Sequence, residues 1–154
     1  MNPQACIEMP PVFLKGIETS AVGALMRGSQ VAVPVVETVH LLAIALAVGT
    51  IMVIDLSVLG LALRRETVPK ISRELAPWTW SGFAAALVTG ILLFCSESVK
   101  MGCKPLFWGK LALLAAGFAF YFTAERRRTP FTAIASLLVW FGVVFGGKAV
   151  GLFG

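Results

Sequence analysis

Four apolar runs, each long enough to cross a hydrocarbon layer, set the limits on what this chain can fold into. They lie near Val33–Leu56, Trp78–Cys95, Leu106–Phe122 and Phe131–Gly147. A bilayer core about 30 Å thick needs roughly 20 mostly apolar residues at about 1.5 Å each. Of the 154 residues, 58% are hydrophobic and only 14% charged. A mean hydropathy of +0.87 sets the chain apart from water-soluble domains of its size. The connections are too short to hold a second domain. The expected fold is all-α: an integral membrane four-helix bundle over residues 33–154, preceded by a 1–32 tail with a short surface helix.

The tail does not read as a secretory signal, because Glu8, Pro10 and Pro11 stand where a basic segment and an apolar core belong. From Val12 to Arg27, Leu14, Ile17, Ala21 and Leu25 recur at spacings of three and four. That pattern predicts an interfacial amphipathic helix lying on the membrane. A loosely ordered tail is the alternative, favoured by Gly16, Gly23 and Gly28. Pro34 suits the first turn of the first span, where its missing N–H costs least.

Basic residues give an orientation. Arg64, Arg65, Lys70 and Arg73 follow the first span, and Arg126, Arg127 and Arg128 follow the third. The positive-inside rule places both clusters in the cytoplasm and both termini outside. A multi-pass protein of the bacterial inner (cytoplasmic) membrane is therefore expected. The net charge of +5 serves topology; a nucleic-acid partner would call for a basic face interleaved with exposed aromatics. The closing FGGKAVG lacks the glycine spacing of a phosphate loop.

Small residues recur inside the spans. Gly142 and Gly146 form one small-xxx-small pair, Gly82, Ala86 and Gly90 another series, and Ala112, Ala116 and Gly117 a third. Such positions let helix backbones approach closely. They support a bundle and, more weakly, a homo-oligomer.

Ionisable groups in the spans are the candidates for function, because charge at mid-membrane costs about 2.5–3.5 kcal/mol on insertion scales. Glu37 and His40 are one helical step of three apart and share a face. Up-and-down topology brings Glu97, Lys110 and Lys148 to the same depth, with a Glu37–Lys110 pair expected. The alternative is that these groups staple helix ends near the headgroups. Asp55 lies about 22 Å further along the first span by helical rise. It forms a separate inner polar site with Arg64.

His40 is the sole histidine, so two-histidine haem ligation within one chain is excluded. It remains a candidate metal ligand through a haem b with a different second ligand or one shared across a dimer. A quinone hydrogen-bonded by Glu37 and His40 is a further cofactor candidate. A zinc site would need convergent carboxylates or thiolates. Cys95 and Cys103 flank the outer loop at a spacing that allows a disulfide in an oxidising compartment, with Cys6 left over. Otherwise Cys95 is a small buried hydrophobe.

The run PVVETVHLLAIALAVGTIMVIDLSVLGLALR, with LAPWTWSGFAAALVTGILLFCSE and KPLFWGKLALLAAG after it, resembles a family of small uncharacterised bacterial four-helix membrane proteins, a domain of unknown function. The carrying elements are Glu37, Thr38 and His40 as E-T-x-H, Asp55, Leu56, Leu59 and Gly60 as D-L-x-x-L-G, and the P-W-T-W entry to the second span. The resemblance implies a four-helix membrane fold and no established activity. Ser57, Phe122 and Thr123 stand where members of that family commonly carry an arginine and a further histidine. Two functions are expected to compete: an accessory or scaffold subunit packed against other membrane subunits, with no catalysis of its own, and an electron-transfer protein binding haem or quinone at Glu37 and His40.

Overall fold

The computed structural model describes Cys6 and residues 10–63, 65–124 and 129–152, with the side chains of 123–124 and 146–152 left aside. Among them the secondary structure is helical: α1 (Val12–Glu18), α2 (Ala21–Gly28), α3 (Ala32–Val58), α4 (Val68–Ser96), α5 (Ser98–Gly102), α6 (Pro105–Ala124) and α7 (Pro130–Leu152). Three of these, α3, α4 and α6, are long and apolar enough to cross a membrane. A shorter apolar stretch of α7, Pro130–Phe145, makes a fourth. Leu41, Leu42, Leu87, Val88, Ile91, Phe131, Leu138 and Phe145 are exposed on these helices. In water that surface would aggregate, and in a bilayer it is the lipid-facing side.

The tail departs from the single surface helix expected over Val12–Arg27. It breaks at Thr19 and Ser20, where Ser20 turns extended and its Oγ accepts the Gly23 N–H at 3.3 Å, capping α2. The break resets the helical phase. Leu14 stays buried, whereas Ala21 and Leu25 turn outward and Gly23 and Met26 turn inward. Gly23 leaves no room for a Cβ, which would collide with the Glu18 carbonyl and lie 2.6 Å from the Cys95 carbonyl oxygen. Leu14 packs on Gly102, so α1 rests on the α4–α6 connection.

The second span also starts earlier than its apolar run. α4 begins at Val68, ten residues before Trp78, and carries Pro77 inside it. Lys70 and Arg73, expected in a loop, therefore lie on its first turns. Lys70 pairs with Glu66 at 2.8 Å. The turn out of α3 uses Gly60, whose φ of +70° lies in the left-handed region where a side chain is strained.

The chain divides into two compact units. The first comprises Met1–Ala45 and Gly82–Trp108, the second Leu46–Ser81 and Gly109–Gly154. In the second, Trp140 is 1% exposed. It meets Phe118 edge to face with centroids 6.3 Å apart, and it lies close to Gly117, whose added Cβ would be 3.5 Å from the indole. Gly142 sits likewise near Leu113. Gly146 belongs to α7, but its packing lies outside the described side chains.

The disulfide joins Cys6 to Cys103 and leaves Cys95 as a half-buried free thiol. This corrects the Cys95–Cys103 pairing that the sequence allowed. Cys95 is still inside the last turns of α4, while the folded tail brings Cys6 to the far side of α5.

Candidate functional site

His40 sits one-third of the way along α3, whose start is set by Ser29: its Oγ accepts the N–H groups of Val31 and Ala32 at 3.4 and 3.2 Å. With Pro34 in the first turn, the helix carries Glu37 and His40 forward on one side. Glu37 is exposed and His40 half-buried. The imidazole Nδ1 lies 2.8 Å from Thr89 Oγ1 on α4.

Thr89 bears on the tautomer. Its hydroxyl reaches the Ala85 carbonyl at 2.6 Å, with a longer contact to Ala86 at 3.2 Å. With its one proton on that carbonyl the oxygen accepts from His40, an arrangement that goes with a proton on Nδ1. Gly90, next to Thr89, makes room for the ring: an added Cβ would stand 3.2 Å from His40 Cε1. Sequence reading took Gly90 for a backbone contact between helices, and its neighbour is instead the imidazole. Thr89 was missed, although a threonine inside an apolar span was the available signal.

The other candidate residues have local settings of their own. Glu97 is half-buried and pairs with Lys100 on the next turn at 3.3 Å. Lys110 is half-buried near the start of α6 and belongs to the second unit. The Lys148 side chain and Arg64 lie outside the described residues. Asp55 is buried in the second unit, one turn beyond Ile51. The same unit holds a buried Thr50–Thr79 pair with hydroxyls 2.8 Å apart. Those two hydroxyls also reach the Ala47 and Leu75 carbonyls of their own helices, so the pair ties α3 to α4 with no charge in the membrane.

A second polar group in the first unit was not read from sequence at all. Glu18 accepts the Val99 N–H at 2.9 Å and meets Arg27 at 3.3 Å, and Arg27 also donates to the Ser96 carbonyl at 3.3 Å. Ser98, fully buried, donates to the Leu14 carbonyl at 2.7 Å. Apart from Glu18 and Arg27, the partners are 69 to 84 residues apart, so no spacing announces them. Among the described residues no three His, Cys, Asp or Glu side chains gather as metal ligands.

Long apolar helices with lipid-facing side chains define a multi-pass helical membrane protein. Residues 13–153 match the Family of unknown function (DUF6644), and the chain belongs to that family. No curated protein and no solved structure matches it.

Proposed function

We propose that this chain is an accessory subunit of a bacterial inner-membrane assembly, binding other membrane subunits or a second copy of itself through α6. The carrying observation is the outward face of that helix, where Gly109, Ala112, Ala116 and Ala119 are all exposed at spacings of three and four. An added Cβ at Gly109 would meet nothing within 4 Å inside the protein. A helical glycine costs about 1 kcal/mol relative to alanine. Gly117, by contrast, faces inward to Trp140, so one helix has a small residue for its own neighbour and a small-residue stripe for an outside one. In lipid, where apolar surface gives no net drive to association, such close approach is what holds helices together.

Purification in mild detergent with mass analysis of the co-purifying chains tests this reading. Gly109→Leu and Ala116→Leu should each abolish the association while the monomer keeps its thermal stability. Association that survives both changes overturns it. The orientation that goes with this reading puts both termini outside, because Arg65, Lys70 and Arg73 cluster around the α3–α4 turn. A cysteine at Thr67 should resist membrane-impermeant labelling of intact cells.

The His40 geometry favours a second reading, a haem b or quinone site. An imidazole nitrogen would ligate a haem iron or hydrogen-bond a quinone headgroup, and the Thr89 contact at Nδ1 would orient the ring for either, as outer-shell partners of ligating histidines do. A Soret band in gently purified protein that disappears in His40→Ala would support haem. Colourless protein that releases no quinone on solvent extraction would remove this reading.

A further inference from the structure

Cys6 and Cys103 are bonded across a sequence separation of 97. They form a buried apolar cluster with Leu14, against which Phe94 and Val99 pack. Polar contacts surround it: Ser98 to the Leu14 carbonyl, Val99 N–H to Glu18, and Arg27 to Ser96. Leu14 lies so close to Gly102 that a Cβ there would be 2.9 Å from both its methyl carbons. The residue directly before Cys103 is thus fitted to the helix that follows Cys6.

Two features bear on where this bond forms. Structural disulfides persist in oxidising compartments and not in a reducing cytosol. α3 starts at Ala32, just after the bonded tail, and ends at Val58, about 40 Å away by helical rise. The basic cluster Arg65, Lys70 and Arg73 follows that far end. In chain order the bonded tail thus precedes one end of α3 and the basic cluster follows the other, the order expected if that helix enters from outside and ends at the cytoplasm.

We propose that α1 and α2 form a cap over the α4–α6 connection, closed covalently on the extracytoplasmic side by a dithiol–disulfide oxidant. The side rests on the orientation given above; the bond and the cap do not. Docking of Leu14 on Gly102 brings the two thiols together. One cysteine thiolate attacks the oxidant's disulfide, forming a mixed disulfide and releasing one oxidant thiol. The second cysteine, as thiolate, displaces the other oxidant sulfur. The protein loses two electrons and two protons, and the oxidant is reduced to its dithiol. Cys95, a half-buried free thiol in the last turns of α4, takes no part.

The full chain carrying Cys95→Ser, in cells, tests the proposal with an impermeant phosphine reductant followed by an impermeant maleimide mass tag. Intact cells should show no tag before reduction and two tags after it. Cells lacking an extracytoplasmic dithiol oxidant should show tags without reduction. Tags on the unreduced protein in ordinary cells overturn the bond. Tags that appear only after permeabilisation overturn the extracytoplasmic closure, and labelling at Thr67→Cys in intact cells then shows whether the orientation failed with it. For the cap, trypsin cleavage at Lys15 or Arg27 should be about tenfold faster in Cys6→Ser, since a lost cross-link enlarges the open population. If Cys6→Ser does not accumulate, reducing the wild-type protein in isolated membranes gives the same comparison. An unchanged rate on reduction overturns the cap.

Discussion

In the unit of Met1–Ala45 and Gly82–Trp108, contacts between segments run through specific atoms: a disulfide, a carboxylate on an amide, a guanidinium on a carbonyl, an imidazole on a threonine. In the unit of Leu46–Ser81 and Gly109–Gly154 they run mostly through shape, with Trp140 against Gly117 and Phe118, Leu113 near Gly142, and Trp80 beside Phe122 at 5.7 Å. Its buried Thr50–Thr79 bond is neutral. The difference follows from what each segment must hold. Two helices of 7 and 8 residues are too short to persist on their own and need staples. Long spans already satisfy their backbones internally and need only close packing to associate.

Breaking the second kind of contact should do the most damage. Trp140→Ala removes a side chain that is almost fully buried, and large aromatic truncations cost about 3–5 kcal/mol. Thermal unfolding in detergent should show a large drop. A drop no larger than that of Leu138→Ala, an exposed position, would mean shape does not hold this unit.

Gly23→Ala probes the first unit. The nearest atoms to the new methyl are all backbone, which cannot turn aside, so overpacking of about 1–3 kcal/mol is expected. Faster hydrogen exchange over 12–28, with the spanning helices unaffected, would localise the effect to the tail. Uniform protection loss would show instead that the tail supports the whole unit.

Thr89→Val keeps the shape and deletes the hydroxyl, so a loss of about 1 kcal/mol is expected. The sharper readout is the imidazole itself: nitrogen NMR of the single histidine should report Nδ1–H in the wild type and a changed tautomer mixture in the variant. An unchanged spectrum would show that Thr89 does not set the tautomer. The smallest effect belongs to Lys100→Ala, since the Glu97–Lys100 pair is substantially exposed. A change below about 0.5 kcal/mol is expected in thermal unfolding; a larger one would make that pair part of the cap's support.

Much of the helical layout was legible because it depends on local quantities. Apolar length located α3, α6 and α7 to within a few residues, and Pro34 marked the first turn of α3. The start of α4 was missed because Val68–Pro77 is polar, and hydropathy reports lipid, not helix. Spacing put His40 and Glu37 on one face of α3, but the contact between His40 and Thr89 of α4 was not legible. A same-helix neighbour can be read from spacing, whereas a partner 49 residues away cannot.

The sequence by itself determined that this chain must be helical and lie across a membrane, because unsatisfied backbone groups in hydrocarbon and runs of about 20 apolar residues leave few alternatives. Tertiary structure alone decided which residues meet. It paired Cys6 with Cys103 and left Cys95 free, turned Gly117 inward and Gly109 outward on one helix, and set His40 Nδ1 against Thr89. Each outcome depends on the rotation and close approach of segments distant in sequence, and a single break at Ser20 was enough to reset the face that the tail presents.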